Sequence, residues 1–348
     1  MSSQSSFTFA HAHGGPLGAV QFRQTPEDFF VEEKLPFLPC GSGEHVYVQV
    51  RKRNTNTDWL ARQLAQFAGL SPKAVSYAGL KDRNAVAVQW FSLHMPKPED
   101  LDWPSIESED LQVLEVSRHQ QKLRKGMLKG NTFRIRLADC AFPNDALEDR
   151  MQCILREGVP NYFGEQRFGH GGGNLEKART LFTGKLREKN RHKRGLYLSA
   201  ARSFLFNRVL SARVEQGNWN HALAGDCFIL AGSNSFFCPD ELDEVIQRRL
   251  QERDIHPSGP LWGRGTSPAR EACATLEQAI VGQELALCEG LEAAGLKQER
   301  RSLRLFPEDL QWSFADDGHL EVSFFLPAGT YATVVLREIV SWESGFPE

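Results

Sequence analysis

No apolar run in the 348 residues approaches the roughly 20 needed to cross a bilayer, so a membrane-spanning protein is not expected. The segment Met1-Ser-Ser-Gln-Ser-Ser6 has neither a basic head nor an apolar core, and no secretory signal is expected there. The seven cysteines (Cys40, Cys140, Cys153, Cys227, Cys238, Cys273 and Cys288) are odd in number and form no C-x-x-C pair. That pattern fits reduced thiols in a cytoplasm better than a disulfide framework or a zinc site. His11 and His13 are the only close histidine pair; they lie in a tail expected to be mobile, and no metal site is expected. H-E-x-x-H, G-x-x-x-x-G-K-[ST] and G-x-S-x-G are all missing, and Gly169-His-Gly-Gly-Gly173 lacks dinucleotide-binding spacing and a preceding strand. ATP, NAD and metal enzymes are therefore set aside. No 20–50-residue repeat is evident, which argues against a solenoid.

Hydrophobic residues make up 41% and charged residues 24%, so the chain is a folding sequence and not a disordered one. The net charge of −3 argues, as an average, against a nucleic-acid partner. The average hides a split: residues 241–348 carry a net −9 and residues 1–240 a net +6. From Arg118 to Arg136 there are seven cations and no carboxylate, and from Lys177 to Arg202 nine cations and only Glu188. Such runs are commonly solvated faces. Two of them in an otherwise acidic chain point toward a polyanion.

The length exceeds the roughly 250–300 residues at which single cores stop growing, so two domains are expected. Residues 44–51 alternate Val46, Val48 and Val50 on one face, a half-buried strand. Residues 57–69 place Leu60, Leu64 and Phe67 on a helical stripe, with Thr57 as cap and Gly69 as stop. Strands follow at 75–78, 85–94, 111–117 and 132–137. The pattern then turns helical, at 144–155, 174–182, 199–216, 240–253 and 271–294. Strand character returns at 320–326, and 331–340 fits either helix or strand. This order reads as an α+β domain, 1–155 with 306–348, interrupted by a helix-rich insertion over 156–305.

Three segments carry chemistry. In Val75-Ser-Tyr-Ala-Gly-Leu-Lys-Asp-Arg83 a short strand runs into Gly79 and then places Asp82 between Lys81 and Arg83, ahead of a second apolar strand. Flanking cations hold such a carboxylate ionised. It is either a surface turn with local ion pairing or a nucleophile or base at the rim of a sheet. In Asn161-Tyr-Phe-Gly-Glu-Gln-Arg-Phe-Gly169, aromatics beside glycines allow close backbone approach, while Gln166 and Arg167 supply donors. The alternative is a hinge that packs its aromatics. Lys129-Gly-Asn-Thr-Phe133 opens a strand in the basic stretch, and Phe133 is either core or a stacking platform for a base.

Together with Thr25-Pro-Glu-Asp-Phe29, Val31-Glu32, Leu198-Ser-Ala-Ala-Arg-Ser203, Leu326-Pro-Ala-Gly-Thr-Tyr-Ala332 and Leu336-Arg-Glu338, these segments resemble the TruD family of tRNA pseudouridine synthases. The blocks run in family order from residue 25 to residue 338, nearly the whole chain. The resemblance implies a pseudouridine synthase catalytic domain, a mixed and mostly antiparallel sheet with flanking helices, holding an inserted helix-rich α+β TRUD domain. It implies isomerisation of uridine to pseudouridine at position 13 in the D arm of tRNA, in the cytoplasm, without cofactor or metal. No obligatory protein partner is implied, and a monomer is the default. By the same resemblance Asp82 is the catalytic aspartate, Phe133 the aromatic stacked on the flipped base, and Asn131 a neighbour shaping the pocket. Arg23, Glu27 and Lys81 are further substrate-side candidates, with Arg23 favoured over Lys81 as the cation on Asp82. Phe163, Gln166 and Arg167 belong to the matching block of the insertion. Two rivals remain at this level: a non-catalytic RNA-binding module, and a carboxylate-dependent nucleoside or glycoside hydrolase.

Overall fold

A computed structural model describes residues 7–97 and 101–342; the expectation about residues 1–6 lies outside the described residues. Strand β1 (Ala19–Phe22) is followed by β2 (Phe29–Lys34), β3 (His45–Arg53), helix α1 (Thr57–Phe67), β4 (Val75–Tyr77), β5 (Val86–His94), β6 (Leu111–His119) and β7 (Gly130–Ala138). Next come α2 (Asn144–Glu157), β8 (Val159–Pro160), α3 (Gly173–Phe182) and α4 (Arg191–Glu215). They lead to β9 (Phe228–Leu230), β10 (Phe236–Phe237), α5 (Glu244–Gln251) and β11 (Ile255–Leu261). Helices α6 (Glu271–Val281) and α7 (Leu285–Ala293) precede β12 (Glu299–Ser302) and β13 (Arg304–Leu305). The chain returns through β14 (Glu308–Phe314), β15 (Leu320–Pro327), α8 (Ala332–Leu336) and β16 (Ser341–Trp342).

Among the described residues one compact unit takes 17–144, 307–329 and 340–342, and the other 7–16, 145–306 and 330–339. In these compact units α2, the N-terminal segment and 330–339 group with the helical unit. Polar ties explain this grouping. The Glu338 carboxylate accepts from the backbone N–H of Ala12 (2.9 Å) and His13 (3.3 Å), and Arg337 donates to the carbonyls of Phe9 (2.6 Å) and Ala10 (3.1 Å). The segment of His11 and His13 is thus a packed strap and not the expected mobile tail.

The first unit is built on a ten-stranded sheet whose main path runs β14-β15-β7-β2-β5-β3-β6, with β4 on β5 and β1 between β7 and β16. Among the described residues only β2–β5 and β1–β16 are parallel pairs in this sheet, so it is mixed and mostly antiparallel, as expected for this fold class. Cross-strand register places Lys52, Ala87, Val31, Phe133 and Phe324 in one row on the same face. Helix α1 packs Leu60, Ala61, Leu64 and Ala65 against Val46, Val48 and Val50 on that face. Its cap is Asn56, whose side chain accepts from the N–H of Asp58 (2.9 Å) and Trp59 (3.3 Å). The expected cap, Thr57, is used elsewhere: its hydroxyl donates to Gln89 Oε1 at 3.1 Å. Gly69 follows the helix at φ +63°, the left-handed conformation that terminates a helix at little cost for glycine.

The second unit wraps α3, α4, α6 and α7 around a core that includes Phe168, Leu175, Tyr197, Phe204, Leu205, Val281, Leu287 and Leu291. A four-stranded sheet of order β10-β9-β11-β12 completes it. Helix α4 begins eight residues before its expected start at 199, capped by Asn190, which accepts from His192 and Lys193 N–H. The expected single helix over 271–294 is two helices, parted at Gly282–Glu284, and the ambiguous stretch after 331 is the short helix α8. One cysteine expectation is overturned: Cys227 and Cys238 form a disulfide, while Cys40, Cys140, Cys153, Cys273 and Cys288 are free. The β9–β10 hairpin pairs Phe228 with Phe237, so the residues flanking that pair, 11 apart in sequence, come to face each other.

His256 on β11 sets an acid limit for this unit. Its Nδ1 accepts from Arg304 Nε at 2.9 Å, and burial, then Arg304 and Arg253, press its pKa down to about 4. The unfolded chain takes up this proton below its ordinary value of about 6.5, which the folded chain refuses until about pH 4. Stability therefore falls as pH drops through that window, by up to about 3 kcal/mol from this group. We expect urea unfolding at pH 7 and pH 4.5 to show a smaller acid loss in His256→Gln than in the parent chain; equal losses would refute the assignment.

Candidate active site

The site begins with the loop between β4 and β5. Strand β4 pairs with β5 through Val75–Leu93, Ser76–Ser92 and Tyr77–Phe91, and residues 78–85 carry the chain back over the sheet. The loop is pinned by groups on the sheet's inner face. Gln89 Nε2 donates to the Gly79 carbonyl (2.8 Å), and the Lys81 N–H donates to the Thr57 hydroxyl (3.1 Å). Lys81 Nζ donates to Glu33 Oε1 at 2.5 Å, and the Trp90 N–H donates to Glu33 Oε2 at 3.0 Å. Burial pushes the Glu33 carboxyl up, and Lys81 pulls it back. Lys52, with no solvent exposure, donates from Nζ to the Thr55 carbonyl (2.5 Å) and reaches the Asp82 carbonyl at 3.5 Å.

Asp82 stands at the end of this pinned loop with its side chain 34% exposed. Arg23 Nη2 donates to Asp82 Oδ2 at 2.9 Å, and Lys81 pairs with Glu33. Arg23 has φ +61°, the left-handed region that costs a non-glycine residue roughly 1–3 kcal/mol. Its guanidinium lies 3.8 Å from the centroid of Phe29 and 5.1 Å from that of Phe22, a cation–π seat. Burial lowers the Arg23 pKa and Asp82 holds it up; an arginine so placed stays charged.

Strand β7 supplies the next groups. Gly130 lies where a Cβ would come 2.1 Å from the Leu326 carbonyl and 2.4 Å from the Phe325 ring, so the motif requires glycine for β15 to approach. Asn131 sits opposite Glu33 on β2 and Leu326 on β15, and its Oδ1 is buried with no hydrogen-bond partner among the described residues. Phe133 is 7% exposed, with ring centroids of Phe29 and Phe324 at 5.9 and 5.7 Å. It is a wall of the core with little open face.

Glu27 is not brought to this cluster. It accepts from Arg53 Nε at 2.6 Å, which holds its carboxyl below the usual range, and it lines a groove of about 560 Å³ with Phe30, Arg51, Arg134 and Trp312. Phe30 alternates with Phe29 and Val31, so that groove lies on the opposite face of the sheet. Phe163, Gln166 and Arg167 belong to the other unit. There Arg167 donates from Nε to the Tyr331 hydroxyl (2.9 Å) and from Nη1 to the Ser199 hydroxyl (3.0 Å). Phe163 packs edge-on to Phe206 at 5.5 Å and under Arg301 at 4.1 Å, and its backbone N–H and carbonyl both bond Asn207. Gln166 is exposed in the 3₁₀ turn Glu165–Phe168. The structure thus unites the 161–169, 198–203 and 336–338 blocks in one unit and the 75–83 and 129–133 blocks in the other, and the 326–332 block is shared between them in sequence.

Sequence reasoning passed over Lys52, Thr57, Gln89 and Glu33. Their signal is positional. The alternation Val46, Val48, Val50 runs on to Lys52, and Phe29, Val31 runs on to Glu33, so each charge stands where the inward face predicts an apolar side chain. Among the described residues no three His, Cys, Asp or Glu side chains form a group able to hold a metal ion.

Comparison with known proteins agrees with this arrangement along nearly the whole chain. The family model for tRNA pseudouridine synthase D (TruD) matches residues 11–177 and 173–339. A tRNA pseudouridine synthase D of Methylococcus capsulatus is 50% identical over 338 residues, covering 97% of this chain and 96% of that protein. The Nitrosococcus oceani protein of the same name is 51% identical over 334 residues, covering 94% and 93%. A crystal structure of a Methanosarcina mazei protein of this family aligns with TM-score 0.73 over 95% of both chains at 22% identity, which speaks to the fold alone. Taken with the ordered blocks and the mixed sheet, these matches establish that the chain belongs to the tRNA pseudouridine synthase D (TruD) family.

Proposed function

We propose that this chain isomerises uridine to pseudouridine at position 13 in the D arm of tRNA, with Asp82 as the reacting carboxylate on a flipped-out nucleotide. The observation that carries the reading is the Asp82–Arg23 pair: a carboxylate ion-paired at 2.9 Å yet still one-third exposed, at the end of a loop pinned by buried groups. Extruding the base costs a few kcal/mol. Stacking against an aromatic wall, worth roughly 1–3 kcal/mol, offsets much of that, and Phe133 is the residue we assign to it. The unsatisfied Asn131 oxygen suits the N3–H of uracil, since a buried acceptor left unpaired costs about 1–3 kcal/mol. The ionised Asp82 either attacks the sugar or removes the C2′ proton. The glycosidic carbon–nitrogen bond breaks in that step and the held uracil anion turns; as C1′ bonds to C5, either the Asp82–sugar bond breaks or Asp82 returns the C2′ proton, and the C5 proton then leaves while N1 takes one up. No electron or phosphoryl group moves, so the residues need no cofactor for this route.

Arg23 is assigned to orient the Asp82 carboxylate through its ion pair, and Lys81 to anchor the loop through Glu33. In the same proposal Phe163, Gln166 and Arg167 serve the RNA from the inserted domain over 156–305. The catalytic domain is taken as 1–155 with 306–348. The enzyme acts in the cytoplasm as a monomer without an obligatory protein partner. Purified chain incubated with tRNA carrying C5-tritiated uridine should release tritium to solvent and no free uracil. Free uracil would favour a hydrolase, and no tritium release would refute the isomerase reading.

Phosphate contacts supply the remaining affinity in this reading. Lys122, Arg124 and Lys125 are exposed in the basic stretch and enter no ion pair among the described residues. Binding should weaken with salt at a log–log slope of roughly −0.7 to −0.9 per phosphate neutralised. Replacing all three with glutamine should flatten the slope by about two to three such increments in filter-binding titrations. An unchanged slope would return this stretch to an ordinary solvated surface.

A further inference from the structure

Lys52 carries an ammonium group yet is 0% exposed, in the row of Ala87, Val31 and Phe133 on the inner face of the sheet. Across the neighbouring strands it faces Ala87 on β5 and Leu111 on β6, which offer no charge. Burying an unpaired cation costs several kcal/mol, so a site retains one only where it is satisfied by dipoles or opposite charge. Its contacts are two backbone carbonyls: Thr55, just before the cap of α1, at 2.5 Å, and Asp82 at 3.5 Å. One side chain therefore links the start of α1 to the main chain of the residue whose carboxylate pairs with Arg23. Gln89 and Thr57 hold the same loop three residues and one residue upstream, at Gly79 and Lys81, and Lys52 reaches the main chain of Asp82 itself.

We infer that Lys52 is a positioning residue for Asp82: its ammonium fixes the main chain at Asp82 and so sets where the carboxylate stands. This rests on the reading of Asp82 as the reacting group. The charge state of Lys52 enters directly, because charge-assisted hydrogen bonds are roughly twice as strong as neutral ones. Burial lowers its pKa to about 8; Lys81 on the loop pushes the same way, while Asp82 on the loop and Glu33 on β2 oppose it. The hold on Asp82 is then strongest below about pH 8 and weakens above it.

The test compares Lys52→Met, Lys52→Arg and Asp82→Asn in the full chain with intact tRNA. Lys52→Met should lower kcat by about 10²-fold, the cost of displacing a reacting group by about 1 Å, with KM for tRNA within about twofold. Backbone amides of residues 80–84 should exchange faster in Lys52→Met, with exchange in the β2–β7 ladder unchanged. Lys52→Arg should restore kcat to within about tenfold of the parent chain and remove the fall in kcat above about pH 8, since a guanidinium keeps its charge there. A folded Lys52→Met with parental kcat and parental exchange at 80–84 would overturn the inference. If Lys52→Met does not fold, the Arg variant decides: a basic limb identical to the parent's overturns it, and a lost limb supports it. Parental turnover in Asp82→Asn would refute the Asp82 reading instead, and the exchange data would still report whether Lys52 holds the loop.

Discussion

Asp82→Asn should bind tRNA within about twofold of the parent chain and release tritium from C5-labelled uridine at least about 10³-fold more slowly, roughly 4 kcal/mol of lost transition-state stabilisation. The substitution keeps the size of the side chain and removes its charge, its nucleophilicity and its basicity together. Affinity should survive, because the proposed binding terms lie elsewhere, in the Phe133 wall and the exposed cations of 122–125. The fold should survive as well: the loop is held through Gly79, Lys81 and the Asp82 carbonyl, none of which the change removes. The variant does leave the Arg23 guanidinium, 7% exposed, without its anion, so a modest fall in melting temperature should accompany the loss of activity. Filter binding, tritium release and a thermal melt on one preparation separate these effects. A non-catalytic RNA-binding module would show no activity to lose, and a variant with parental turnover would refute the carboxylate's role.

The largest stability effect is expected far from that loop, in the helical unit. Arg213 on α4 is 1% exposed and Asp226 is 0% exposed; Nη1 and Nη2 donate to Oδ1 and Oδ2 at 2.8 and 3.0 Å. Nε and Nη2 also donate to the Asn218 carbonyl and Nη2 to that of His221, and Oδ2 also accepts the Leu223 N–H at 2.7 Å. Both ions are buried and hydrogen-bonded several times, so removing one partner strands a buried charge. Asp226→Ala should cost about 3–5 kcal/mol of unfolding free energy in urea. The double change Arg213→Met with Asp226→Leu should recover much of it, because an apolar pair of similar volume is often neutral or stabilising relative to the ions. A loss below about 1 kcal/mol in the single variant would show that the pair is solvated in solution.

Much of the sheet unit was legible in the residue pattern. Alternating Val46, Val48 and Val50 named β3, Phe133, Ile135 and Leu137 named β7, and the Gly79–Asp82 turn between apolar runs located the rim loop. What escaped were elements whose inward positions are not apolar. Strand β2 reads Phe-Phe-Val-Glu-Glu-Lys, and its buried Glu33 looks like a solvent residue until Lys81 is seen to meet it. Strand β11 contains Pro257 and Pro260, composition that argues against a strand, yet it pairs with both β9 and β12. The Cys227–Cys238 bond was hidden for a different reason: counting cysteines reports the compartment, and the hairpin that brings two of them face to face is a tertiary fact.

The candidate site was legible in its parts more than in its assembly. Asp82 stood out because Lys81 and Arg83 flank it, whereas Arg23, which pairs with it from 59 residues upstream and is seated on Phe29 in a left-handed conformation, was favoured only through the family resemblance. Glu27 was named through the family resemblance, and the turn Pro26–Asp28 places it instead with Arg53 at the groove that Phe30 lines. Lys52 lay in plain view as the last inward position of β3. Its meaning depended on Thr55 and Asp82 meeting it from two separate segments.

The central claim is that this chain converts one tRNA uridine into pseudouridine. Because the isomerisation leaves mass unchanged, the most direct measurement is chemical mapping of pseudouridine, base by base, in tRNA incubated with the purified chain and with its Asp82→Asn variant. The account predicts a new pseudouridine at position 13 of the D arm with the parent chain and uridine there with the variant. Uridine at position 13 under both conditions, with the chain shown to bind the same tRNA, would contradict it.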